Sequence, residues 1–170
     1  ELPDGNTSWT YMMQVPGGEF AIFVGQLENN GHAPHPFEVW VNGADQPRGL
    51  GAVAKTLSMD MRAQDRAWLK LKLDTLARTR GEETFDMPFP PHGENKRMPG
   101  VVAAVAQVVR YRVEQLCGNL DEKVPTPVLD SMFSLQEPKT GTDGTLSWTV
   151  DIQNPASGED FVLGLKELTL

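Results

Sequence analysis

The order of periodic segments predicts an α+β domain. It has an antiparallel β-sheet packed against about three helices, with a C-terminal β-hairpin that repeats the N-terminal one. Three observations carry this. Segments of period two cluster at both ends of the chain, over 8–43 and 144–168. Helical stripes of spacing three and four fill 50–116 between them. The line D-G-x-x-S-W-T-x-x-x-Q-x-P-x-(x)-G-E is written twice, at 4–19 and 143–159, with nine identities and one extra residue in the later copy.

The first strand is SWTYMMQV at 8–15. Trp9, Tyr11, Met13 and Val15 share one face, and Thr10 and Gln14 the other. PGG at 16–18 turns the chain, and EFAIFVGQLE at 19–28 returns as a second strand. NNGHAPHP (29–36) is a loop. FEVWVNG (37–43) is a third strand, with Phe37, Val39 and Val41 opposite Glu38, Trp40 and Asn42. Trp40 therefore falls on the polar side of its strand. It either packs beneath a helix or marks a contact with a partner.

A helix follows Pro47, with Leu50, Val53, Ala54, Leu57 and Met61 on one stripe. Asp65 caps a second helix that turns Trp68, Leu69, Leu73 and Leu76 inward and ends by Gly81. Residues 81–99 hold four of the 13 prolines and read as an ordered irregular loop whose Phe85, Met87 and Phe89 want burial. GVVAAVAQVVRYRVEQL (100–116) is a helix whose Val and Ala content suits a buried central position. The expected organisation is a domain over 1–118, a linker over 119–143, and a hairpin over 144–170 in which FVLGLKEL parallels AIFVGQLE. That hairpin either completes the first sheet, within the chain or by exchange between two chains, or opens a second repeat. Chance recurrence of turn residues around SWT is the bland alternative.

At 170 residues the chain is long enough for one domain with its own core. A net charge of −8, with Lys and Arg scattered among acids, argues against binding a nucleic-acid backbone. No apolar run approaches the roughly 20 residues that span a bilayer, so no membrane is expected. No leader pattern is visible, and a lone cysteine forms neither an internal disulfide nor a CxxC pair. A reducing, cytoplasmic setting follows as the expectation.

The search for chemistry yields few candidates. His32 and His35 in GHAPHP are weak metal candidates, because only Glu38 stands near as a further ligand and metal sites need more. They read first as plain loop residues, and no cofactor is expected. Cys117 lacks a basic neighbour in sequence, so it reads as a small buried hydrophobe rather than a thiolate. No G-x-S-x-G elbow or phosphate-binding P-loop occurs, and no catalytic set is assigned. The glycines of GLGAV (49–53) read as the opening of a helix. Asp60, Arg62, Asp65 and Arg66 form a charge cluster. It reads as a solvated helix junction with weak exposed ion pairs, or as a docking surface. With Trp40, the residues Arg62, Asp65 and Arg66 make the candidate partner surface.

Taken together, the segments resemble a known family. The elements that carry the resemblance are a Trp/Tyr strand ending in a proline turn, an E-x-A-I-x-V strand (Glu19, Ala21, Ile22, Val24), and the stretch PFEVWVN (36–42) preceded by Gly31. They continue in a helix bearing Ala52, Leu57 and Ser58, and a later helix after Met98-Pro99. Over about 7–116 this resembles the carboxy-terminal region of adenosylcobalamin-dependent (class II) ribonucleotide reductases, which is related to the TSCPD domain. The family's radical cysteine, reducing cysteine pair and cobalamin site lie in an upstream barrel that has no counterpart here. The resemblance thus implies a stand-alone accessory or interaction domain linked to deoxyribonucleotide synthesis, not catalytic alone. Its expected partner is a ribonucleotide reductase component or a second copy of itself. The competing expectation is a small ligand- or metal-binding protein, or enzyme, using the 29–36 and 81–99 loops.

Overall fold

A computed structural model describes residues 5–28, 33–122, 147–153 and 158–166. The chain divides into two units, Glu1–Leu129 and Asp130–Leu170.

In the first unit, β1 (Ser8–Val15), β2 (Gly18–Leu27) and β3 (His35–Asn42) form an antiparallel sheet in the order β1-β2-β3. Three helices follow: α1 (Leu50–Arg62), α2 (Arg66–Ala77) and α3 (Val101–Cys117). The α+β class read from the sequence is the class observed. Strand alternation puts Met13, Phe20, Ile22, Val24, Val39 and Val41 on one face, where the helices bury them. α1 lies along β3, while α3 crosses all three strands and also packs on α2. The alanines and valines of α3 are buried from Ala103 to Val113, which fits the central position expected of it. Small side chains let a helix backbone come close to several neighbours at once.

Two helix starts show local chemistry at work. Gly49 opens α1 at φ 82°, a left-handed geometry that favours glycine. Asp65 caps α2, its Oδ1 accepting the Trp68 backbone N–H at 2.8 Å.

The 81–99 segment corrects the sequence reading. It is not an irregular loop but a hairpin, β4 (Phe85–Phe89) with β5 (Glu94–Met98). The prolines hid it. Pro88 sits within β4 opposite Asn95, in a two-stranded ribbon whose outer side needs no N–H donor. Pro90 and Pro91 lie in the turn, which the Gly93 N–H closes onto the Phe89 carbonyl at 2.9 Å. Phe85 and Met87 face the core as the burial argument required, Phe89 packs against it half-buried, and Met98 joins them from β5. β4 lies against β1, and the Tyr11 hydroxyl donates to the Pro88 carbonyl at 2.8 Å.

The second unit contains the antiparallel hairpin β6 (Ser147–Gln153) and β7 (Asp160–Lys166). Its register reproduces that of the first hairpin. Trp9–Val24, Tyr11–Ile22 and Met13–Phe20 stand opposite one another in β1–β2. Trp148–Leu165, Val150–Leu163 and Ile152–Phe161 hold the same places in β6–β7. Gln14–Glu19 and Gln153–Asp160 flank the two turns alike. Phe161 thus takes the place of Phe20, one position earlier than the simple sequence parallel with Ala21. The added length is absorbed between Gln153 and Asp160. Among the described residues, no helix is long and apolar enough to cross a membrane.

Candidate functional site

Two surfaces of the first unit gather the residues that the sequence singled out. The first is the open face of the three-stranded sheet. One face is covered by helices, so alternation leaves Thr10, Met12, Phe23 and Trp40 on the other. Thr10, Phe23 and Trp40 stand abreast across the three strands. Trp40 is 58% exposed, so among the described residues it is not packed beneath a helix. Beside it, Ser8, Gly25 and Glu38 form the next row. A Cβ on Gly25 would lie 2.7 Å from Glu38 Cγ, so only glycine lets the Glu38 side chain fold across the sheet. Phe23, Gly25, Glu38 and Trp40, with Asn6, Ser8 and Asn42, line a depression of about 310 Å³. At its rim, the Arg62 guanidinium lies 4.5 Å from the centroid of the Phe37 ring and 3.8 Å from Glu38 Oε2. Both partners are substantially exposed, so the ion pair contributes less than about 1 kcal/mol. Its consequence is positional: a cation is held beside the aromatic face.

The second surface is a cavity of about 280 Å³, where the start of β3, the end of α1, the start of α2 and the end of α3 meet. Pro36, Met61, Leu69 and Cys117 give it apolar walls, with His35, Asp60, Gln64, Asp65 and Arg66 among them. Residues far apart in sequence are thus brought together. The polar ones are largely committed to the fold. Asp60 Oδ1 accepts the Trp68 indole N–H at 2.8 Å, and Lys72 stands 3.4 Å from its Oδ2. Arg66 Nη2 donates to the Asn119 carbonyl at 2.8 Å. Among the described residues, the buried Arg66 Nε has no hydrogen-bond partner. Burial pushes the Cys117 thiol above its ordinary range, against the pull of the nearby Arg66 charge. The thiol donates to the Val113 carbonyl at 3.1 Å. It is a neutral, poorly nucleophilic group near pH 7.

The candidate partner surface therefore separates. Trp40 stays on the open sheet face, while Arg62 is placed against Phe37 and Glu38. Arg66 belongs to the cavity. Asp65 is 2% exposed and spent as a helix cap, so it offers nothing to a partner. The reading of the charge cluster as wholly solvated is corrected with it: its outward turn is exposed, but Asp60 and Asp65 bond inward. His35 lines the cavity at the first position of β3, and His32 lies outside the described residues. Among the described residues no three His, Cys, Asp or Glu side chains are grouped to hold a metal ion. His92 lies with Phe89 and Lys96 around the β4–β5 turn. Sequence reasoning missed the approach of Arg66 to Cys117, because the two sit on different helices. Comparisons of the chain with protein-family models, with characterised proteins and with solved structures return no match.

Proposed function

We propose that this chain is a non-catalytic accessory or interaction domain, related to the carboxy-terminal region of adenosylcobalamin-dependent ribonucleotide reductases and linked to deoxyribonucleotide synthesis. Its partner is a protein component of such an enzyme, in a cytoplasmic setting. The observation that supports it is the exposed Trp40 on the open sheet face beside Phe23, with Arg62 held by Glu38 two residues along β3. An aromatic residue with a neighbouring guanidinium is the composition of an interface hot spot. Ribonucleotide reduction needs a thiyl radical cysteine and a reducing dithiol, whereas this sequence contains one cysteine, half-buried and neutral.

The test is titration of the purified chain against a class II ribonucleotide reductase by calorimetry. Saturable binding is expected, weakened at least about tenfold by Trp40→Ala, with the thermal midpoint of the chain held within about 3 °C. Absence of binding, or equal binding by the variant, overturns the reading. So does turnover of a ribonucleotide by the chain alone with adenosylcobalamin and dithiol. Light scattering of the free chain separates self-association from partner binding.

A second reading has its own support in the cavity beside Cys117. Apolar walls around an unpartnered Arg66 Nε suit a small apolar ligand carrying an acceptor oxygen. Amide shifts at His35, Arg66 and Cys117 on adding a small aromatic carboxylate, absent on adding the corresponding amine, would favour it. Identical responses to both, or none, would remove it.

A further inference from the structure

The depression on the open sheet face is built around a carboxylate. Phe23, Gly25, Glu38 and Trp40 line it with Asn6, Ser8 and Asn42. Among the described residues that lining holds one acid and no cation. Glu38, Trp40 and Asn42 are alternate residues of β3, so they share one face. Phe23 is the cross-strand neighbour of Trp40, and Gly25 that of Glu38, so all five belong to the same side of the sheet. Glu38 Oε1 lies 3.0 Å from where a Cβ on Gly25 would stand, which lays this oxygen over the middle strand, within the depression. The other oxygen, Oε2, is the one near Arg62, at 3.8 Å. That is a long pair between exposed groups, and it holds the carboxylate only loosely. Oε1 is left facing the depression, with the exposed Trp40 ring beside it.

We propose that this depression receives an arginine side chain of the partner protein. The inference rests on the reading of the open sheet face as the partner surface, and it names what the partner presents there. A guanidinium lies well against the Trp40 ring, whose π face attracts a cation. Its planar fork of N–H donors suits Glu38 Oε1 and the side-chain oxygens of Asn6, Ser8 and Asn42. A quaternary ammonium would use the ring and the charge but has no N–H for these acceptors. A lysine ammonium is more strongly hydrated and loses more on leaving water. The net charge of −8 favours the approach of a cationic segment.

The experiment uses the full chain and N-acetyl-arginine amide at constant ionic strength, followed by backbone amide and indole shifts. N-acetyl-citrulline amide has nearly the same shape without the charge, and tetramethylammonium has the charge without the donors. Saturable shifts at Phe23, Gly25, Glu38 and the Trp40 indole are expected with the arginine probe, half-complete at roughly 10–50 mM. Both other probes should bind at least about threefold more weakly. Glu38→Gln should weaken the arginine probe at least about threefold, and Trp40→Ala about as much. Glu94→Gln, which removes the same charge from β5, should change it less than about 1.5-fold. An equal response to citrulline or tetramethylammonium, no shifts at about 100 mM probe, or undiminished binding by Glu38→Gln overturns the proposal. So does a dimer of the full chain that Glu38→Gln dissolves, which assigns the face to a second copy. The two readings fail separately. Reductase binding that is lost in Trp40→Ala yet unchanged in Glu38→Gln overturns the arginine site alone. Arginine-probe binding at Glu38 and Trp40, with no binding of the reductase, supports the site and overturns only the choice of partner.

Discussion

Replacing Ser58 by alanine should cost the first unit more than its small size suggests. Among the described residues β3 is an edge strand, so no described strand neighbours the outward backbone groups of Val39. Ser58 on α1 stands in for one. Its Oγ accepts the Val39 N–H at 2.9 Å, and its proton points to the Ala54 carbonyl at 2.9 Å or the Val39 carbonyl at 3.2 Å. Ser58 is buried, so Ser58→Ala leaves the Val39 N–H without a partner where water does not reach it easily. An orphaned buried donor costs about 1–3 kcal/mol. Alanine's better helix propensity returns about 0.5 kcal/mol. The net loss is about 0.5–2.5 kcal/mol, and for a unit of this size the midpoint falls by about 2–10 °C. The comparison is Thr56→Ala, which removes an exposed hydroxyl bonded only to the Val53 carbonyl at 2.9 Å. It should stay within about 0.5 kcal/mol. Thermal unfolding followed by helical ellipticity measures both, and amide exchange at Val39 should accelerate in Ser58→Ala alone. If Ser58→Ala costs no more than Thr56→Ala, the serine is not satisfying the strand edge and the reasoning fails.

Other outcomes follow from single contacts. Gly100→Ala would place a Cβ 2.4 Å from the Gly81 backbone nitrogen, and backbone cannot step aside cheaply, so it should destabilise by about 2 kcal/mol or more in urea unfolding; a neutral result would mean that the contact relaxes freely. The Cys117 thiol, raised by burial, should react with a disulfide reagent near pH 7.5 at least about tenfold slower than free cysteine, accelerating only in strongly alkaline solution. Labelling at the free-thiol rate would contradict this. Hydrogen bonds from Lys70 and Arg110 hold the Asp121 carboxyl below its ordinary 3.8, so its contribution is present above that value and is lost as pH falls through the lowered one. Hydrogen bonds to Asp74 and Asp121 raise Lys70 above its ordinary 10.5, so its contribution is present below that value and is lost as pH rises through the raised one. Asp121→Asn should therefore flatten the acid limb of midpoint against pH, and acid limbs that run parallel in both proteins would show that Asp121 adds nothing there.

The elements with a clean period were legible from the chain. SWTYMMQV alternates at every position but Met12, and β1 spans those residues. Leu50, Ala54, Leu57 and Met61 repeat at helical spacing, and α1 buries all four. Asp65 announced the start of α2 because a carboxylate is suited to accept a backbone N–H there. Phase also marked Trp40 as facing away from Val39 and Val41, although phase alone could not say whether another layer covers that face. The β4–β5 hairpin was illegible because its period-two signal runs through prolines, whose usual meaning is turn.

What the sequence by itself determined is local: which segments extend, which coil, and that one hairpin line occurs twice. A side-chain period is a property of neighbouring residues, so it needs no knowledge of the fold. Tertiary structure decided everything that depends on which layers meet. It sent Asp65 inward and left Arg62 outward from one charged stretch, and it carried Arg66 to Cys117 across two helices. It also closed the outer edge of β3 with a serine from α1. Above all, it gave two hairpins of matching register opposite fates. β1–β2 lies under α3, while β7 shows its phenylalanine and leucines to solvent. Burial depends on what is packed against a face, and no periodicity within the face records that.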